Sequence, residues 1–138
     1  MSTYRLEQLA RMIAWGRIAI GAAAMTAPVV VAAPWVGDDD ARRPAVRLFA
    51  RTLGGRDLAL GCGTLRALGR SDQEARAWVA LAGAADAGDA LATLVAFAYL
   101  PRRLRWLVLA LTLGASAASF RVAASLDGVP DPDPSDVA

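Results

Sequence analysis

The chain has 138 residues, enough for one domain, and 56% of them are apolar, above the share usual for a soluble domain. Charged residues still make up 20%, so this is no simple membrane anchor, and the net charge of +2 is too small and too scattered for a nucleic-acid partner. There is no His and a single Cys, Cys62, which excludes an intramolecular disulfide and argues against zinc, haem and His-based acid–base catalysis.

Four segments have about the 20 apolar residues that a helix needs to cross a hydrocarbon core of about 30 Å. The first is predicted over 9–33. Arg5 and Arg11 precede it in the manner of a signal peptide, but Arg17 falls at its apolar centre and Pro28 follows the best cleavage candidate, so it reads as a retained helix. Pro28 should kink that helix or close it early, and Pro34 and Gly37 end it.

An acidic cluster follows, Asp38-Asp39-Asp40, suited to the positive end of the next helix, with Pro44 suited to that helix's first turn. The second helix is predicted over 45–68, with Gly69 placed as its C-terminal cap. Ser71-Asp72-Gln73-Glu74 is a capping box that starts a third helix, which runs to about residue 100 and stops at Pro101. After a tight charged turn, the fourth helix is predicted over 103–126. Residues 127–138 are acidic and Pro-rich, and are expected to form a disordered tail.

The expected fold is therefore all-α: an integral membrane bundle of four antiparallel transmembrane helices over 1–126, followed by the tail. A soluble bundle would need one polar face on each helix, and 106–120 carries no charge on any face. An even number of spans puts both termini on one side. Arginines flank both ends of the spans almost equally, with a slight lean towards a cytoplasmic 102–105 turn. The expected location is the inner (plasma) membrane, multi-pass.

The sharpest functional signal is ionised residues inside these spans, where charge is costly and marks a pairing or a site. They are Arg17, Arg51, Arg56, Asp57, Asp86 and Asp89, three positive against three negative. Neutrality is what the cost of burying bare charge would select. The simplest pairing joins Arg56 or Arg51 to Asp86 and Asp89 and leaves Asp57 for Arg17. Arg56 and Asp57 are neighbours pointing about 100° apart, which should deny them a common partner helix.

Helical spacing adds stripes that can face one interior. They are Ala14, Arg17, Gly21 and Ala24; Gly55, Ala59 and Gly63; Ala82, Asp86, Asp89 and Thr93; and Thr112, Ser116, Ser119 and Ala123. Trp15, Trp35, Trp78 and Trp106 fall near span ends as interfacial anchors, and Arg121 should snorkel to the headgroups. Asp86-x-x-Asp89 resembles part of the metal motifs of lipid-linked phosphotransferases. It lacks their further carboxylates, so no metal, cofactor or catalytic residue is assigned.

Two runs, Phe49-Ala50-Arg51-Thr52-Leu53-Gly54-Gly55-Arg56-Asp57-Leu58-Ala59-Leu60-Gly61 and Ala82-Gly83-Ala84-Ala85-Asp86-Ala87-Gly88-Asp89-Ala90, resemble a group of small four-helix integral membrane proteins of actinobacteria. The resemblance covers under half the chain and implies the architecture alone, since no activity is established for that group. The residues themselves suggest a non-enzymatic, structural or partner-binding membrane protein, working with the lipid bilayer and a protein partner or further copies of itself. The rival readings are an oligomeric transporter or channel using the intramembrane carboxylates, and, behind it, a lipid-active enzyme.

Overall fold

A computed structural model describes residues 3–102 and 104–126. The predicted tail lies outside these residues. Within them the chain is helical, with six helices in the order α1 (Thr3–Thr26), α2 (Pro28–Val36), α3 (Asp38–Ala41), α4 (Pro44–Ala67), α5 (Asp72–Val95) and α6 (Arg105–Leu126).

Several boundaries follow from single residues. Pro28 has no N–H to give to α1, so α1 ends at Thr26 and Pro28 opens α2, turned by 100°. The expected single helix over 9–33 is thus two. Pro34 does not end α2, which passes through it to Val36. Gly37 then takes φ +88°, open to glycine without strain, and reverses the chain. The aspartate cluster forms its own short turn, α3, rather than capping the next helix. Asp40 Oδ1 there accepts from Arg43 Nε at 2.8 Å.

Pro44 does sit in the first turn of α4. The α4 cap is Leu68 in a right-handed conformation rather than Gly69, because the chain turns on through residues 68–70 without a left-handed step. At the start of α5, the N–H of Glu74 donates to Ser71 Oγ at 3.1 Å, as the capping box predicts. Its reciprocal half is replaced: the N–H of Ser71 goes to Ala67 O at 3.1 Å. Finally, α5 stops at Val95, short of residue 100. The Phe97 ring turns to meet Trp106 edge-on at 4.6 Å, and Arg105 lies 4.4 Å over its centre. Those contacts, and the bias of a residue before proline against helix, favour a turn over 96–99.

The four long helices run antiparallel in sequence order. α1 packs along α4 and α5 along α6, with α4 against α5 and α1 against α6 closing the ring. The α1–α4 contact is set by glycine. A Cβ at Gly61 would lie 2.7 Å from Ala14 O, and one at Gly54 would lie 2.8 Å from Gly21 O. No side chain fits there, so the two backbones touch over two turns.

The bundle differs at its two ends. Where the start of α1 packs near the end of α6, Ala10, Ala67, Ala75, Val79, Val122, Ala123 and Leu126 form a closed core of mostly small apolar side chains. At the other end the helices stand apart around a cavity of about 460 Å³, and α2 swings across to help wall it.

Two helices, α5 and α6, are each long and apolar enough to cross a membrane, and the bent pair α1–α2 makes a third if it counts as one span. α4 does not meet that test, since Arg47, Arg51, Arg56, Asp57 and Arg66 all lie within it.

Candidate functional site

Arg17 is the centre of the site. It sits mid-way along α1 with 7% of its surface exposed. Nη1 donates to Asp57 Oδ1 on α4 at 3.1 Å, while Nη2 donates to Asp86 Oδ2 on α5 and to Ala82 O, one turn earlier, at 2.9 Å. One guanidinium thus ties three helices together, using the planar fork that lysine lacks. Its Nε is buried with no hydrogen-bond partner among the described residues.

The second cation, Arg56, is half-buried on α4. It grips Asp89 with two parallel bonds, Nη1 to Oδ1 at 2.9 Å and Nη2 to Oδ2 at 2.8 Å. It also folds back on its neighbour Asp57, with Nε at 3.2 Å and Nη2 at 3.1 Å from Oδ1. Asp57 Oδ1 is therefore the hinge of the network, shared by both arginines.

Five of the six predicted residues are brought together here: Arg17 meets Asp57 and Arg56 meets Asp89 as expected, but Asp86 goes to Arg17 instead of Arg56 or Arg51. Arg51 stands apart: its Nε donates to Met25 O on α1 at 3.2 Å, near the α1–α2 break. Arg56 and Asp57 bond to each other, and in keeping with their separation of about 100° they reach different helices, Arg56 to Asp89 on α5 and Asp57 to Arg17 on α1.

The stripes fare unevenly. Ala14, Arg17, Gly21 and Ala24 all face inward on α1, as do Thr112, Ser116, Ser119 and Ala123 on α6. On α5, Ala82, Asp86 and Thr93 are buried and Asp89 half-buried. Ser116 Oγ donates to Gly83 O at 3.0 Å, fixing α6 on α5.

The α4 stripe is corrected. Gly55 meets nothing, Ala59 is exposed, and Gly63 packs on the Trp78 ring of α5 instead of α1. The face against α1 runs through Ala50, Gly54, Asp57, Gly61 and Thr64, of which the sequence reading placed Asp57 against Arg17 and missed the other four. Their spacing of four, three, four and three marks a helical seam, and Asp57, already paired with Arg17, was the signal that selects it over the Gly55 face. Of the tryptophans, Trp15 and Trp106 point outward, Trp35 lines the cavity, and Trp78 packs over Gly63. Arg121 is exposed.

The network forms one wall of the cavity. Arg56, Asp57, Asp86 and Asp89 line it, and the remaining surface is mainly apolar, from Ile20, Ala24, Val31, Trp35, Phe49, Leu53, Val108 and Leu111. Among the described residues no group of three or more acidic or Cys side chains is placed to hold a metal ion. Cys62 is exposed on α4, away from this site. No family model, curated protein or solved structure matches the chain.

Proposed function

We propose that this chain is a multi-pass protein of the inner (plasma) membrane, that all four long helices span the bilayer, and that it acts as a structural or partner-binding accessory subunit rather than an enzyme. The observation that carries the reading is an inverted distribution of polarity. Arg17, Thr64, Asp86, Thr93, Thr112, Ser116 and Ser119 are buried, whereas Met12, Ile20, Leu48, Phe49, Leu91, Val95, Leu107 and Leu111 are exposed. In water this arrangement is costly twice over; in hydrocarbon it is the favoured one.

The same inversion accounts for α4. Arg56 and Asp57 turn into the network, and its other charges, Arg47, Arg51 and Arg66, lie towards its two ends. Their long side chains can reach the headgroups from there. Its outward face between Thr52 and Leu65 carries no charge. A broad apolar exterior fits a protein whose work is done against another helix surface.

Single-cysteine labelling in intact cells tests the topology, starting from Cys62→Ala. Four spans require cysteine at Ser71 to be labelled from the side opposite to cysteines at Asp39 and Arg102. Labelling of all three from one side would remove α4 from the membrane and with it this reading. Native mass spectrometry from the source membrane then tests the role, where a complex with a different protein is the expected result.

One observation favours a second reading, an oligomeric transporter-like or channel-like protein. The cavity reaches Asp57, Asp86 and Asp89, so an ion entering it would meet carboxylates. That reading predicts ion or proton flux in proteoliposomes, lost in Asp89→Asn; wild-type vesicles with no flux under any imposed gradient would dismiss it.

A further inference from the structure

With Arg51 outside the network, its charges no longer balance. Arg17 and Arg56 face Asp57, Asp86 and Asp89, two positive against three negative. An uncompensated charge in apolar surroundings is costly, and no further cation is paired with these carboxylates among the described residues.

The surplus can be located. Both oxygens of Asp89 are taken by Arg56. Asp57 takes all of its bonds on Oδ1, and Asp86 takes its bond on Oδ2. Asp57 Oδ2 and Asp86 Oδ1 accept nothing from the described residues, and both aspartates line the cavity.

The cavity selects what can satisfy them. Its volume of about 460 Å³ falls among small-molecule sites, which run from about 300 to 1,000 Å³. Its walls are apolar, including Trp35, Phe49, Leu53 and Leu111. A bare divalent ion is a poor fit: among the described residues no acidic triad is placed to hold one, and two guanidiniums already occupy the site. A singly charged group on an apolar body satisfies both parts of the surface.

We infer that this cavity is a binding site for an amphipathic organic cation, an ammonium or like centre set against Asp57 and Asp86 with its apolar part among the walls. Such a site is compatible with either role above and depends on neither. The same chemistry has two sources, the amine headgroup of a membrane lipid or a free lipophilic cation.

The test is equilibrium binding of radiolabelled tetraphenylphosphonium to the full chain in nanodiscs, with tetraphenylborate as an anion of the same shape. Saturable binding of the cation and none of the anion is expected. Asp57→Asn should weaken it by about tenfold or more, since it removes one of the carboxylate charges that attract the cation in apolar surroundings. Leu111→Trp adds bulk at the cavity's edge, outside the ion network, and should weaken binding while leaving the helical spectrum and thermal transition unchanged. It keeps the test open if Asp57→Asn fails to fold. Nanodiscs with and without an aminolipid separate the sources: competition by the lipid assigns the site to a headgroup, and its absence to a free cation. Equal binding of anion and cation, no saturable binding, or wild-type affinity in Leu111→Trp would overturn the inference.

Discussion

The half of the bundle near Leu126 and the half near Val36 are built from the same four antiparallel helices, yet one is closed and the other is open. In the closed half, Val79 and Val122 are fully buried among alanines, and the helices meet mainly on small side chains. In the open half, Phe49, Leu53 and Leu111 stand around empty space, and α2 is bent through 100° to cover part of it. The ion network of Arg17, Arg56, Asp57, Asp86 and Asp89 lies between them. Small apolar residues let helices approach until they touch. Three carboxylates and two guanidiniums do not compress in that way, and each polar atom needs a partner placed in a set direction. The helices therefore diverge beyond the network.

The difference predicts unequal responses to substitution. The largest belongs to Arg17, whose loss leaves Asp57 and Asp86 buried with less charge than they need. Arg17→Gln should cost about 3–5 kcal/mol, the range for breaking a buried pair from one side. Arg56→Gln should cost clearly less, because Arg56 is more exposed and Arg17 still holds Asp57. Denaturant unfolding in bicelles measures both, and equal losses would remove Arg17 from the centre of the account.

Next is the α1–α4 seam, which runs through both halves. Gly61→Ala drives a methyl group into Ala14 O and should cost about 1–3 kcal/mol, as overpacking does. Gly55→Ala, with nothing within 4 Å, should be neutral or stabilising by up to about 1 kcal/mol through helix propensity. The opposite order in thermal unfolding would place the seam on the wrong face of α4.

The smallest effects compare the halves themselves. Val79→Ala opens a void in the closed half and should cost about 1 kcal/mol, chiefly in lost packing, since lipid-facing helices gain little from hydrophobic transfer. Leu111→Ala, on the cavity's edge, should fall within about 0.5 kcal/mol of wild type, as surface changes do. Equal costs would mean that the open half is packed as tightly as the closed one.

Much of this was legible in the sequence, for reasons that vary by element. The inward stripes of α1, α5 and α6 follow from spacing, because the mid-helix polar residues, Arg17 on α1, Asp86, Asp89 and Thr93 on α5 and Thr112, Ser116 and Ser119 on α6, fall on one face of each. Ser71 and Pro44 announce helix starts through local chemistry that tertiary contacts seldom override. On α4 the sequence offers two glycine faces, one through Gly54 and Gly61 and one through Gly55 and Gly63. Spacing alone does not choose between them; what does is the pairing of Asp57 with Arg17 on the neighbouring helix.

Arg51 was miscounted for a related reason. Charge arithmetic treats every arginine within a span alike, whereas reach and position sent this one to Met25 O. The 100° turn at Pro28 was legible as a break but not in its direction, which depends on what α2 packs against. The imbalance left by Arg51, and the cavity that exposes it, required the three-dimensional arrangement.

The most direct test of the account is a double-mutant cycle on Arg17→Gln and Asp86→Asn, read as unfolding free energy in bicelles. A network centred on Arg17 predicts that the double variant loses less than the sum of the single losses, by about 1–3 kcal/mol, as for groups in direct contact. Additivity to within about 0.5 kcal/mol, as for distant sites, would contradict it.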